Sequence, residues 1–424
     1  MKRIAIIDGV RTPYCKMGTA FNDLSAQELG RIAAREVLEK TLVDPKEIDE
    51  VIFGNVSQPA EAANISRVIA LLAGIPQSTP AFTVHRNCAS GLESVATAAL
   101  KIQAGEARCL LVGGTESMSN IPFLFTKDLQ EILSQLARAK NVIEKIQWGL
   151  KMRPRFLAPR VGLQLGLTDP VCGLNMGQTA EVLAKEFGIS RKEQDTFALQ
   201  SHKRAVQSRN IFKEEIVPVI PAPRYQEMID SDNGPRENQT MEALAKLKPF
   251  FDRQTGTVTA GNSSQITDGA AALIVMSEEK AGQSGLNPLG YVRAFAFAGV
   301  EPARMGIGPA HAIPQVLKKA NLGFKDMEAF EINEAFAAQV IACTKSLASK
   351  QFASQFGYTG FTGEINPDIL NIHGGAIALG HPVGSTGTRL ILTMLKTLKR
   401  ENRHLGMVSL CIGGGQGAAM ILER

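Results

Sequence analysis

The chain has 424 residues, 44% of them hydrophobic, which is enough for a large core and more than one domain. Mean hydropathy is near zero, and no apolar run reaches the roughly 18 residues of a spanning helix, which excludes a helical membrane span. The formal net charge of +5 sits in one place: Lys127 to Arg160 holds eight Lys/Arg and three acids, so a nucleic-acid-binding surface spread over the protein is excluded too.

The first predicted element is a strand over Ile4–Asp8. No long apolar segment and no Arg/Ser-rich presequence comes before it, so a cytoplasmic location in a bacterium-like cell is expected. Strands are predicted next at Glu50–Phe53, Ala81–His85 and Arg108–Gly113, with helices at Ala26–Lys40, Ala62–Ala73 and Ser90–Gln103. This alternation implies a sheet covered by helices, an α/β layer.

Residues 121–265 are richer in charge and loops. Within them, Asp128–Leu150 places Leu129, Ile132, Leu133, Leu136, Ile143, Ile146 and Leu150 on an approximate helical stripe with basic residues between. Three readings of this basic insert, residues 127–160, stand side by side. It is a helix packed on its own core, a helix docking on a membrane surface or partner, or an attractor for a polyanionic ligand. The core resumes at Asp268–Met276. From about residue 289 the α/β pattern returns, with strands at Gly290–Phe297, Ala329–Ile332 and Met407–Leu410 and helices at Pro309–Ala320 and Thr386–Lys399. The two ends share one plan. The division expected is 1–120 plus 266–288, a loop domain at 121–265, and 289–424.

Six cysteines (15, 88, 109, 172, 343 and 411) form no Cys-x-x-Cys pair, and the six histidines show no ligand spacing. Neither a disulfide framework nor a metal site is predicted. Cys88 stands out because Thr83–Leu92 reads as strand, tight turn and helix start. A cysteine at the first turn of a helix feels the positive end of its dipole, which favours the nucleophilic thiolate. The competing reading is an inert buried thiol. Three further motifs follow in the C-terminal part. Asn333 lies at a strand end, where it can hold a water or simply form a turn. His381 follows the glycine-rich run Asn371–Gly380, placed to act as a base or to serve a structural role. Cys411-Ile412-Gly413-Gly414-Gly415 ends a strand in a turn whose free N–H groups can form an oxyanion hole.

Taken together, Asn87-Cys88-Ala89-Ser90-Gly91, Asn333-Glu334-Ala335-Phe336, Gly374–Pro382 and Cys411–Gly415 resemble the thiolases, in order and over essentially the whole chain. The resemblance implies a duplicated α/β core, two similar mixed-sheet halves in a layered α-β-α-β-α arrangement with an inserted loop domain. It implies cleavage of a 3-ketoacyl-CoA, with coenzyme A as substrate and no bound cofactor. Cys88 would carry the acyl group and His381 would take its proton. Asn333 would hold a water in a first oxyanion hole, and Cys411 would move the proton at the α-carbon. The N–H groups of Cys88 and Gly413 would form a second hole. Arg236 matches a CoA-facing arginine, Ser264 a residue near the pantetheine amide, and Met176 a tunnel-lining position. Ala243 stands where a serine is expected, and Asn175 where a histidine is.

The insert, Phe156-Leu157-Ala158-Pro159 in particular, resembles the β subunit of the fatty-acid-oxidation trifunctional enzyme, which usually has histidine where this chain has Asn333. That resemblance implies longer acyl chains and a hydratase/dehydrogenase α subunit as partner. The family implies a homodimer or homotetramer. An acetoacetyl-CoA thiolase and a non-catalytic acyl-binding scaffold are the alternative functions.

Overall fold

The computed structural model describes residues 2–424, and its main unit is built from two runs of elements in the same order. The first run is β1 (Ile4–Arg11), α1 (Ala26–Thr41), β2 (Glu50–Gly54), α2 (Ile65–Leu72), β3 (Ala81–Val84), α3 (Ser90–Ala104) and β4 (Cys109–Glu116). Residues 121–168 form a separate compact unit that contains α4 (Lys127–Arg138) and α5 (Val142–Gly149). The main unit resumes with α6 (Met176–Glu186) and α7 (Arg191–Gln207), and β5 (Thr267–Ser277) completes the first half. The second half comprises β6 (Gly290–Gly299), α8 (Gly308–Ala320), β7 (Ala329–Ile332), α9 (Ala337–Ala348), α10 (Val383–Arg400), β8 (Leu405–Ile412) and β9 (Gln416–Glu423).

The strands join in the order β7-β8-β9-β6-β1-β5-β4-β2-β3, with Cys15–Lys16 added beside β5. In the first half β2 pairs in parallel with β3 and β4, and β4, β5 and β1 follow antiparallel. In the second half β7 is parallel to β8, and β8, β9 and β6 follow antiparallel. The halves meet where Ile4–Ile6 of β1 face Gly290–Val292 of β6. One element is missing from the second run. Where β3 would lie, a single parallel bridge, Phe330 to Leu370, stands in its place.

Burial explains the layers. Leu92, Val95, Ala96 and Ala99 of α3 and Leu390, Ile391, Leu392 and Leu395 of α10 form one core with strand residues of both halves. Helix α1 packs the opposite face of the first half, and α8 with α9 the opposite face of the second. Helices α3 and α10 therefore form the central layer. Their first turns touch backbone to backbone. A Cβ on Gly91 would come within 2.7 Å of the Thr388 N–H nitrogen, and one on Gly387 would overlap the Leu92 nitrogen. Only glycine permits that approach, and it brings the segments before the two helices together.

The basic insert differs from the single stripe expected. It breaks between Ala139 and Asn141, because Ala139 is extended and Asn141 caps a second helix by accepting from the Glu144 N–H. Leu129 and Ile132 of α4 are buried, whereas Val142, Ile143, Ile146 and Leu150 are 56–81% exposed. Residues 169–265, grouped with the insert by composition, pack with the main unit.

Candidate active site

Cys88 lies between β3 and α3. The structure places it one residue before the N-cap Ala89, not in the first helical turn. Asn87 adopts a left-handed conformation at φ 43°, and its Nδ2 donates to the Gly413 carbonyl at 2.7 Å. This bond ties the Cys88 turn to the turn between β8 and β9. Burial pushes the Cys88 thiol up from its ordinary value, and hydrogen bonds from the N–H groups of Gly413 and Cys88 itself oppose that. The thiol shift here is set by burial and by these N–H groups. With desolvation the largest cause, the thiolate needs a partner base.

Gly414 and Gly415 make the β8–β9 turn at φ 90° and 84°, and a side chain on Gly415 would overlap the Val300 carbonyl. Cys411 precedes the turn and is fully buried. Burial holds its thiol well above the ordinary value, and the charge of a nearby Cys88 thiolate adds to that. The two sulfurs are neighbours with different surroundings. Cys411 shares an apolar cluster with Met176, Phe251, Ala335 and Phe336. Met176 opens α6, with its Sδ 3.1 Å from a Cβ built on Gly413. Asn175 caps that helix in a reciprocal box with Gln178, which accounts for the asparagine locally.

His381 precedes α10 and is 8% exposed. Its Nδ1 is 2.6 Å from Thr386 Oγ1, and the Thr386 hydroxyl donates to the Pro382 carbonyl at 3.1 Å. With the hydroxyl proton so used, the network assigns the imidazole proton to Nδ1 and leaves Nε2 as an acceptor. Asn333 Nδ2 faces Nε2 at 3.5 Å. Burial, then the Arg389 charge, push the imidazole down to about 3. It is neutral at working pH, and its Nε2 lone pair, as a base requires, is engaged only by the long Asn333 contact. Asn333 follows β7, with its N–H donating to the Ser409 carbonyl two residues before Cys411, and its Oδ1 is buried without a partner. That free acceptor suits a bound water.

Glu334 holds this region shut. It accepts from Ser201 Oγ at 2.6 Å, Asn371 Nδ2 at 2.9 Å and the Ile377 N–H at 3.2 Å, and its carboxylate fills the space beside Gly375. Ser264 sits next to the Asn333 loop, its N–H donating to the Ala335 carbonyl at 2.9 Å, and Gln265 accepts from the His381 N–H at 3.0 Å. Arg236 is exposed on a loop joined to that segment through the Gln265 bond to the Gly234 carbonyl. Ala243 is exposed. Cys88, Gly413 and Cys411 therefore form one cluster and His381 and Asn333 another, joined by the α3–α10 contact and the Asn333–Ser409 bond. Sequence reasoning missed Thr386, Asn87 and Glu334 as supports. A Ser/Thr-rich helix start five residues after a histidine was the available signal for Thr386.

Comparison with known proteins identifies the family. Residues 4–279 match the thiolase N-terminal domain family, and residues 286–424 match the thiolase C-terminal domain family. The chain belongs to the thiolase family. Over 425 aligned residues it is 42% identical to a 3-ketoacyl-CoA thiolase of Pseudoalteromonas translucida, covering 99% of this chain and 97% of that protein. Human mitochondrial 3-ketoacyl-CoA thiolase superposes with a TM-score of 0.86 at 34% identity, covering 100% and 99% of the two chains. The Bacillus anthracis acetyl-CoA acetyltransferase does so with a TM-score of 0.87 at 35% identity, with the same coverage. This thiolase thus resembles proteins named 3-ketoacyl-CoA thiolase and proteins named acetyl-CoA acetyltransferase.

Proposed function

We propose that this thiolase is an acetyl-CoA C-acyltransferase that cleaves 3-ketoacyl-CoA with coenzyme A, releasing acetyl-CoA and an acyl-CoA two carbons shorter, as in fatty-acid β-oxidation. The observation that carries the reading is the Asn87–Gly413 hydrogen bond at 2.7 Å, which ties the Cys88 turn to the turn that follows Cys411, with the neutral His381 facing Asn333 at the end of the strand next to the one that carries Cys411. His381 Nε2 takes the Cys88 proton, and the sulfur adds to the ketone carbon. The bond between that carbon and the α-carbon then breaks. The acyl group stays on Cys88 as a thioester, and the electron pair leaves as the acetyl-CoA enolate. His381 and a water held by Asn333 stabilise the enolate oxygen, and Cys411 supplies the proton to its carbon. The N–H groups of Cys88 and Gly413 hold the oxygen of the acyl group. Coenzyme A, giving its proton to Cys411, then attacks the thioester and frees Cys88. Splitting one hard step into two through a covalent intermediate predicts ping-pong kinetics.

Met176 and Ser264 line the acyl–pantetheine path in this reading, and Arg236 faces the CoA phosphates. No dedicated cofactor or metal enters the scheme. The relatives named 3-ketoacyl-CoA thiolase support cleavage, while the likeness to the Bacillus anthracis acetyl-CoA acetyltransferase supports the alternative, condensation of two acetyl-CoA. Thiolysis measured with 3-ketoacyl-CoAs from C4 to C16 separates them. Activity rising with chain length supports the first, and activity confined to C4 supports the second.

A homodimer or homotetramer, a cytoplasmic setting and a hydratase/dehydrogenase α subunit complete the proposal, and bacterial relatives support the setting. Among the described residues no helix is long and apolar enough to cross a membrane. The exposed apolar face of α5, close in sequence to Lys140, Lys145 and Lys151, supports the docking reading of residues 127–160 over packing on their own core.

A further inference from the structure

Arg389 is a fully buried cation that the chemistry above does not use. It belongs to α10. Thr386, which holds His381 Nδ1, lies three residues earlier, and Ser385, 2.7 Å from the Tyr14 hydroxyl, lies four earlier. Residues at these spacings share one helix face. Glu331 belongs to β7, two residues before Asn333, and is therefore on the same side of the extended chain. Arg389 Nη1 and Glu331 Oε2 are 3.6 Å apart, with side chains 1% and 4% exposed. Those two atoms, with Arg389 Nε and Nη2, make no hydrogen bond.

Stability does not explain such a pair. Taking two charges out of water costs several kcal/mol each, burial pushes the Glu331 carboxyl up to about 8 against the opposing Arg389 charge, and well-packed apolar substitutes are often neutral or better. Location does explain it. One charge lies a turn behind the residue that orients His381, and the other lies just ahead of Asn333. The Tyr14 and Glu334 side chains and the His381 ring also feel the Arg389 charge.

We propose that Arg389 and Glu331 are positioning residues for the reaction: their attraction draws helix α10 toward strand β7 and so sets the gap between His381 and Asn333. The inference rests on the roles given above to those two side chains. At 3.5 Å, Asn333 Nδ2 and His381 Nε2 lie close enough to serve one oxygen in the mechanism proposed above. A misplacement of about 1 Å at such a site costs on the order of 100-fold in rate.

The test is steady-state thiolysis on the full-length protein with Arg389→Met, Arg389→Lys, Glu331→Gln, Asn333→Ala and the Arg389→Met/Asn333→Ala double variant. The expected result is a kcat lowered by roughly 10- to 100-fold in Arg389→Met, with the KM for coenzyme A within about twofold and partial recovery in Arg389→Lys. The decisive readout is the double variant. If Arg389 acts through the His381–Asn333 gap, adding Arg389→Met to Asn333→Ala lowers kcat little further. Full additivity, or an unchanged kcat in folded Arg389→Met, overturns the inference. Should Arg389→Met fail to fold, Glu331→Gln assayed above pH 8 decides, since it keeps the shape and removes a charge that the carboxyl carries there: a lowered kcat supports the inference and an unchanged one overturns it. Cys88→Ala, assayed in parallel, tests the underlying reading separately. Thiolysis surviving that change sinks the reading itself, whatever Arg389 does.

Discussion

The two halves of the core run through the same elements and carry the same residue after their second strands, each with a buried Oδ1 that has no partner, yet only one of them spends its amide N–H groups within its own half. After β2 stands Asn55, buried, with its Nδ2 donating to the Thr115 carbonyl at 2.9 Å and to Glu116 at 3.1 Å. After β7 stands Asn333, also buried, whose Nδ2 faces only the imidazole of His381 at 3.5 Å. Glu116 goes on to accept from the N–H groups of Val56, Ser57 and Gly384, closing the first half on itself and on α10. The second half lacks the counterpart of β3, and Asn371–His381 occupies that edge instead. A repeated frame can thus be sealed by hydrogen bonds in one copy and kept unfilled in the other. In the mechanism proposed above, the sealed copy contributes the nucleophile, and the open copy contributes most of the groups that handle charge and protons.

The sharpest break of this comparison is at the thiols. Cys88→Ala should remove thiolysis to background while leaving the thermal melt close to the parent, because its neighbours are held through Asn87 and Gly413 backbone contacts. Undiminished thiolysis in Cys88→Ser would overturn the covalent role. Cys411→Ala should still accept an acyl group on Cys88, seen by mass spectrometry of the trapped protein, but lose carbon–carbon chemistry by roughly 10²- to 10⁴-fold. Loss of acylation as well would place Cys411 in the wrong half of the mechanism.

The two asparagines give the next largest effect and the cleanest contrast. Asn333→Ala removes a polar group aimed at the reacting oxygen, and kcat should fall by about 10²- to 10³-fold with little change in stability. Asn55→Ala removes bonds to a buried carbonyl and a buried carboxylate. It should cost roughly 1–3 kcal/mol of unfolding free energy with kcat nearly unchanged. Denaturant melts and kcat on both variants decide the matter, and equal behaviour would dissolve the distinction between a sealed and an open frame. Thr386→Val should be milder. It removes the acceptor that keeps the proton on His381 Nδ1, and a kcat loss of about tenfold is expected from one lost hydrogen bond.

Much of this was legible in the sequence. Strands β1, β2, β3 and β4 were predicted within a few residues because each is a short apolar run between turn residues, and α3 and α10 because their apolar spacing is helical. The site residues were named by motif, and the structure sorts them into two joined clusters. Three things were not legible. The direction of the Cys88 shift depends on how deeply folding buries it, which no local pattern encodes. The break in the insert depends on one capping asparagine in an otherwise periodic stretch. The ion pair of Arg389 and Glu331 joins residues 58 positions apart, and each looks like an ordinary surface charge until α10 is found buried between the sheet halves.

The last predicted effect concerns acid. The segment that replaces β3 carries two buried histidines, His373 and His381. The Ser208 Oγ is 2.9 Å from His373 Nδ1 and Arg400 Nη1 is 3.4 Å from Nε2, so the imidazole donates from Nδ1 and accepts at Nε2. Burial, then the positive charges of Arg400, Arg204 and Arg403, push His373 down to about 4. A base whose folded value is depressed leaves the unfolded chain to bind the proton first. Its contribution is therefore intact above about pH 6.5 and is lost as the pH falls toward 4. In the sealed half, Glu116 has the opposite sign. Burial pushes its carboxyl up to about 7, so its penalty grows as the pH rises from about 4.5 to 7. Because these windows overlap, the parent curve alone is ambiguous and the difference between variants is the useful quantity. His373→Asn keeps a polar group toward Ser208 and removes the titration. Between pH 6.5 and 4.5 the parent should lose roughly 2 kcal/mol more unfolding free energy than this variant. Parallel curves would mean that His373 does not stay neutral in the folded protein, and the open half would then not be the acid-sensitive one.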